Sequence, residues 1–90
     1  MRRAARVDDN QAAVVAALRK IGASVEIIGK PLDLLVYYRY ETSLIEVKNP
    51  AGRNKLTDAQ LDFLATWPGA LYVVRSPEDA IHAVTKGAKP

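Results

Sequence analysis

The sequence predicts an α/β fold in which helices flank a mixed four-stranded sheet. The first observation is the order of the segments: those with helical spacing of apolar residues and those rich in β-branched residues alternate as α-β-β-β-α-β-α. The second is size and composition. Ninety residues, 49% of them hydrophobic and 26% charged, suffice for one globular core and are too few for two. We therefore treat residues 1–90 as a single domain.

The first helix is predicted over residues 8–21. Asp8 or Asp9 can cap its start, and Gly22 is suited to the position that ends it. Its apolar stripe consists of Val14, Val15, Leu18 and Ile21. Gln11 lies on the same stripe, so we expect its side chain to face the protein interior.

Three strands are predicted next, over residues 24–28, 33–39 and 44–48. A polar turn centred near residues 40 and 41 joins the second strand to the third, so these two form an antiparallel hairpin. Paired residue numbers then sum to about 80 or 81, which places Asp33 opposite residue 47 or 48 and beside Glu46. The hairpin therefore brings two acidic side chains together.

The remaining segments complete the sheet and add two helices. A loop over residues 49–54 leads to a second helix, which Thr57 and Gln60 open with a capping-box pattern. The fourth strand, residues 70–75, is almost continuously apolar, and we expect it to be covered on both faces. Ser76 then caps a third helix that has proline and two acidic residues in its first turn.

The most informative chemistry lies at the end of the third strand. Glu46 and Lys48 are alternate residues, so their side chains project from one face, where Asp33 of the neighbouring strand joins them. Two carboxylates, with the backbone carbonyl of Val47 as a further ligand, suit Mg²⁺ or Mn²⁺. Such a cation activates water and offsets charge on a phosphodiester, and Lys48 can stabilise the reacting phosphate. The cluster points to a metal-dependent nuclease.

Three short motifs contain or follow these residues. They are Gly29-Lys30-Pro31-Leu32-Asp33-Leu34-Leu35-Val36, Leu44-Ile45-Glu46-Val47-Lys48 and Lys55-Leu56-Thr57-Asp58-Ala59-Gln60. With them, about residues 8–84 of the chain resemble the PD-(D/E)XK nuclease superfamily, and within it the VRR-NUC type, similar to phage and archaeal Holliday-junction resolvases. The motifs look like Gly-x-Pro-Asp-hydrophobic, with one extra residue at Leu32, then hydrophobic-Glu-x-Lys, then basic-Leu-Thr-x-x-Gln.

The resemblance implies a restriction-endonuclease-like αβββαβ(α) core and a metal-dependent endonuclease acting on DNA, with branched or Holliday-junction DNA as the substrate class. It also implies that Asp33, Glu46 and Lys48 are catalytic and that Gln60 assists them. Gln60 has a second explanation, because it can serve only to complete the capping box. The first helix departs from the pattern: Gln11 stands where family members usually carry a glutamate that points at the metal. Gln11 is a possible further residue of the metal site, through its amide; otherwise two acids suffice, Asp8 or Asp9 reaches in from the start of the helix, or the site is impaired.

Partners follow from charge, size and the resemblance. The net charge of +3 is a weak preference for polyanions. Five basic residues are candidate phosphate contacts, although a solvated terminus and an ordinary polar loop explain them equally well: Arg2, Arg3, Arg6, Arg53 and Lys55. A homodimer is expected from size and family. No segment is long and apolar enough to span a membrane, so a cytoplasmic protein is the default expectation.

Two other functions compete with the nuclease. One is a nuclease-fold module that binds nucleic acid without cutting, its site weakened by Gln11. The other is a small α/β interaction domain, since an acid-x-Lys triplet is common in half-exposed strands and Lys48 can simply protect a sheet edge.

Overall fold

The computed structural model describes residues 3–49 and 55–90, with side chains from residue 9 onward. These residues form a compact α/β domain with a four-stranded mixed sheet and three helices. The elements are α1 (Arg3–Lys20), β1 (Ser24–Ile27), β2 (Leu34–Tyr38), β3 (Glu41–Val47), α2 (Asp58–Thr66), β4 (Ala70–Val74) and α3 (Pro77–Thr85). Their order is the predicted one, so the α/β class and the mixed sheet are confirmed.

The sheet has the strand order β1-β2-β3-β4. The first three strands pair antiparallel, and β4 returns parallel to β3 after α2. The core lies between one face of this sheet and the helices α1 and α3. Its fully buried side chains include Val14, Leu18, Leu34, Val36, Ile45 and Val74.

The first helix is longer than predicted. It begins at Arg3, so Asp8 and Asp9 lie within it, and the prediction that one of them caps its start is wrong. The helix ends just before Gly22, as predicted. Gly22 has a φ of +99°, and the amide of Ala23 donates to the carbonyl of Leu18 at 3.0 Å. The helix extends upstream because residues 3–7 contain no glycine or proline to stop it.

The β2–β3 hairpin turns earlier than predicted. Arg39 and Tyr40 both have positive φ, 48° and 70°, and form a two-residue turn of the type I′ kind between Tyr38 and Glu41. Paired residue numbers therefore sum to 79, and the predicted register of 80 or 81 is wrong. The error has a physical origin, because neither turn residue is the glycine or asparagine that usually marks such turns.

The turn geometry gives a stability prediction. Tyr40 is 94% exposed, and its left-handed backbone is unfavourable for any residue with a Cβ. Tyr40→Gly should raise the free energy of unfolding by roughly 0.5–1 kcal/mol, because relief of left-handed strain exceeds the entropy cost of glycine. Urea denaturation measures this. Tyr40→Ala keeps the unfavourable φ and is the control; equal stabilisation by both variants would show that the turn is unstrained.

The second face of the sheet is exposed only in part. Leu35, Tyr37 and Val73 are each between 36% and 47% exposed, whereas Leu44 and Glu46 on the same face are 5% and 7% exposed. The prediction that β4 is covered on both faces is wrong at Val73, because α1 and α3 pack on the opposite face. Within the described residues, no helix is long and apolar enough to cross a membrane.

Candidate functional site

The corrected register brings the predicted acidic residues together more directly than the sequence suggested. Leu34 pairs with Ile45, so continuing the hairpin by one residue sets Asp33 opposite Glu46. Alternation places both side chains on the face of the sheet opposite the main core, since Leu34 and Ile45 point into that core. The backbone amide of Val47 donates a 2.8 Å hydrogen bond to Oδ2 of Asp33, which fixes that carboxylate at the end of β3.

Glu46 is the unusual residue of the site. It is only 7% exposed, and its Oε2 lies 3.2 Å from the Nζ of Lys48. Its Oε1 is buried and has no hydrogen-bond partner among the residues described. An unsatisfied buried carboxylate oxygen costs free energy, and native proteins rarely carry one without a reason. A cation at this oxygen would supply that reason.

Burial also affects Asp33. Partial burial raises the pKa of the Asp33 carboxyl above its usual value, and the nearby Glu46 carboxylate raises it further. The hydrogen bond from the Val47 amide and the charge of Lys48 oppose this effect. Two carboxylates are thus held close together in a partly desolvated position, where they repel each other when both are ionised.

The residues present fit a Mg²⁺ or Mn²⁺ ion. Mg²⁺ usually takes one or two protein carboxylates and keeps water or substrate oxygens in its other positions. Asp33 and the unpartnered Oε1 of Glu46 supply that number, and the carbonyl of Val47 lies at the same end of β3. Residues 9–49 and 55–90 contain no group of three or more histidine, cysteine, aspartate or glutamate side chains, so a richer metal centre is not formed there.

Lys48 is held at the site from two sides. Besides its contact with Glu46, its Nζ donates a 3.2 Å hydrogen bond to the carbonyl of Lys55, just before α2. Its side chain is 15% exposed, so the ammonium group is positioned and not freely solvated. A fixed cation beside two carboxylates can neutralise charge that develops on a neighbouring anion.

Gln60 makes the contacts of a capping residue and one contact outside its helix. Its Oε1 accepts from the backbone amide of Thr57 at 3.0 Å, and the backbone amide of Gln60 donates to the Thr57 hydroxyl at 3.1 Å, so the predicted capping box is confirmed. Its Nε2 also donates to the carbonyl of Pro31 at 3.2 Å. Gln60 therefore ties the start of α2 to the loop that leads into Asp33.

Substitutions at Gln60 separate the two roles. Gln60→Glu keeps the acceptor for Thr57 but loses the donor to Pro31, whereas Gln60→Ala loses both. If the site cleaves DNA, as the resemblance implies, both variants should lower the cleavage rate several-fold, and only Gln60→Ala should lower the free energy of unfolding, by roughly 1 kcal/mol. Activity and thermal unfolding are measured in parallel. Full activity in Gln60→Glu would leave Gln60 as a capping residue only.

A residue of α1 that the sequence did not single out reaches this end of the sheet. Asn10 donates a 2.8 Å hydrogen bond from Nδ2 to the carbonyl of Lys48 and so ties α1 to the end of β3. Gln11, its neighbour, is half-buried, as its place on the helix predicts. Helical periodicity alone gave no signal for Asn10, because the contact is made to a backbone carbonyl and lies beside the apolar stripe.

The structure describes only some of the residues that are predicted to contact phosphate. Arg2 and Arg53 lie outside the described residues, and Arg3 and Arg6 belong to α1 without described side chains. Lys55 is exposed, and its carbonyl is the one that holds Lys48. Lys55 thus contacts the candidate site through its backbone.

No family model, curated protein or solved structure matches this chain.

Proposed function

We propose that the protein is a metal-dependent DNA endonuclease of the PD-(D/E)XK superfamily, VRR-NUC type, with a restriction-endonuclease-like core. The observation that carries the proposal is the carboxylate pair of Asp33 and Glu46, in which a buried Oε1 lacks a partner among the described residues while Lys48 lies 3.2 Å from the other oxygen. The β2–β3 hairpin, the contact of Gln60 with the loop before Asp33 and the element order agree with it.

Each residue has a distinct task in this proposal. Asp33, Glu46 and the backbone carbonyl of Val47 hold the cation, and the Val47 amide keeps Asp33 in place through its 2.8 Å hydrogen bond. When bound, Mg²⁺ or Mn²⁺ supplies an acidified water molecule and polarises a phosphoryl oxygen. Lys48, oriented by Glu46 and the Lys55 carbonyl, stabilises the negative charge on the phosphate as the bond to the leaving oxygen breaks.

The substrate proposed is duplex or branched DNA, with Holliday junctions as the form that the resemblance implies. A cytoplasmic homodimer is proposed with it, because one copy of 90 residues offers little surface for a duplex and two sites suit cleavage of paired strands. The second face of the sheet, with Leu35, Tyr37 and Val73 partly exposed, provides apolar area of the kind that dimers bury.

The test is cleavage of labelled duplex and four-way-junction DNA of matched sequence. Reactions contain Mg²⁺, Mn²⁺, Ca²⁺ or EDTA, and a parallel binding measurement uses Ca²⁺ to prevent turnover. Cutting with Mg²⁺ or Mn²⁺ but not with EDTA supports the nuclease. Binding without cutting in any metal favours the nuclease-fold module that only binds nucleic acid. Absence of binding at low salt contradicts both and leaves the interaction domain.

A further inference from the structure

The end of β4 lies beside the candidate catalytic residues. β3 and β4 run parallel, with Glu46 paired to Val73 and Val47 to Val74. The amide of Lys48 donates a 2.8 Å hydrogen bond to the carbonyl of Val74, so the two strands remain together one residue past the last pair. β3 ends at Val47 and β4 at Val74, and extending their register by one row sets Arg75 next to Lys48, with the two backbones about 4.8 Å apart.

Alternation along β4 decides which way Arg75 projects. Tyr72 and Val74 pack against the core, so Val73 projects from the opposite face, and the same alternation carried one residue past the end of β4 puts Arg75 on that face. That is the face from which Glu46 and Lys48 project, because paired residues of neighbouring strands share a face. Arg75 is exposed. Its guanidinium is thus available to a ligand that approaches the carboxylate pair from that face.

The backbone at Arg75 is held in place by α3. Its amide donates to Oδ2 of Asp79 at 3.0 Å, and the amide of Asp79 donates to the hydroxyl of Ser76, the N-cap of α3. The Asp79 carboxylate therefore binds the backbone of Arg75 and not a free ammonium or guanidinium group in the contacts described.

The charges of the neighbouring side chains indicate what the Arg75 guanidinium can bind. Asp33 and Glu46 contribute two negative charges when ionised, and Lys48 contributes one positive charge that its ion pair with Glu46 already engages. Before a metal ion binds, the protein therefore presents a net negative site to a polyanion. A guanidinium group is well suited to correct this, since its planar donors match two phosphate oxygens at once.

We propose that Arg75 binds a backbone phosphate of the DNA next to the scissile one, so that Lys48 and Arg75 form two adjacent phosphate subsites at the ends of β3 and β4. The inference rests on the proposed function, because it identifies how that site takes its substrate. Its basis is the parallel register, the shared face and the charge deficit of the carboxylate pair.

The test is DNA binding by Arg75→Gln, measured by fluorescence anisotropy in EDTA over a series of salt concentrations. Affinity should fall about tenfold, and the slope of log affinity against log salt should lose about one phosphate contact, or roughly 0.9. Arg75→Lys should restore the slope but only part of the affinity, because it keeps the charge and loses the paired donors. In Mg²⁺, KM should rise more than kcat falls.

Arg39→Gln is the matched control, since it removes the same charge from an exposed arginine at the hairpin turn, the opposite end of the sheet. Circular dichroism establishes that each variant is folded. If Arg75→Gln and Arg39→Gln bind DNA equally while the wild type binds and cuts, the phosphate subsite is wrong and the nuclease survives. If the wild type neither binds nor cuts, the proposed function fails and the subsite fails with it.

Discussion

Lys48→Gln is expected to reduce the rate of metal-dependent DNA cleavage by about 10²–10³-fold, the usual cost of losing one preorganised group that stabilises transition-state charge. The Nζ of Lys48 lies 3.2 Å from Oε2 of Glu46, and the Lys48 side chain is 15% exposed, so water cannot easily replace the ammonium group. Glutamine keeps a hydrogen-bond donor for Glu46 and for the Lys55 carbonyl, which limits the loss of stability. Single-turnover cleavage of duplex DNA in Mg²⁺ measures the effect on the chemical step.

Lys86→Gln is the control for this experiment. Lys86 also forms an ion pair with a glutamate, Glu41, at 2.9 Å, but this pair is exposed and lies at the other end of β3. Exposed ion pairs contribute little to stability, and we expect wild-type cleavage in this variant. Comparable loss of cleavage in both variants would mean that any lysine–glutamate pair matters, and equal retention in both would exclude Lys48 from the chemistry.

The sequence predicted the elements of the site better than their alignment. Alternation in β3 placed Glu46 and Lys48 on one face, and the capping box placed Thr57 at the start of α2, because both patterns depend on neighbouring residues only. The register of the hairpin depends on the turn, and Arg39 and Tyr40 carry no residue preference that reveals positive φ.

Contacts between distant parts of the chain were beyond sequence patterns. Asn10 meets the Lys48 carbonyl across 38 positions, and it does so through a backbone atom that every residue has. The position of Arg75 near Lys48 follows only from the parallel pairing of β4 with β3, which sets Val74 beside Val47. Both depend on the three-dimensional arrangement of elements that local spacing predicts separately. Arg75 is the last residue of the predicted fourth strand, so a search for charged residues at the ends of predicted strands would have found it.

Asp33→Asn should abolish cleavage and at the same time stabilise the metal-free protein near neutral pH. Asparagine keeps an oxygen that can accept from the Val47 amide, and it removes a partly buried negative charge that Glu46 repels. Functional sites often contain a residue that lowers the free energy of unfolding but is needed for function, and here the function is metal binding. Cleavage assays and urea denaturation in EDTA measure the two effects.

The pH dependence of this stabilisation has a definite sign. The pKa of Asp33 is higher in the folded protein than in the unfolded chain, so between these two values the folded state binds more protons. The free energy of unfolding of the wild type therefore falls as the pH rises through that window, which begins at about 4, the usual value for aspartate. Asp33→Asn lacks this contribution, so its advantage over the wild type should grow across the window and then level off.

Metal binding should make the wild type more stable than Asp33→Asn. A cation that binds the folded wild type at a hundred times its Kd adds about 2.7 kcal/mol to the free energy of unfolding, and Asp33→Asn should gain little or nothing. Asp62→Asn, a change at an exposed aspartate of α2, is the control and should follow the wild type with and without Mg²⁺. Equal Mg²⁺ stabilisation of Asp33→Asn and the wild type would place the cation elsewhere. The carboxylate pair would then be a structural feature of the hairpin, and its unpartnered oxygen would need another explanation.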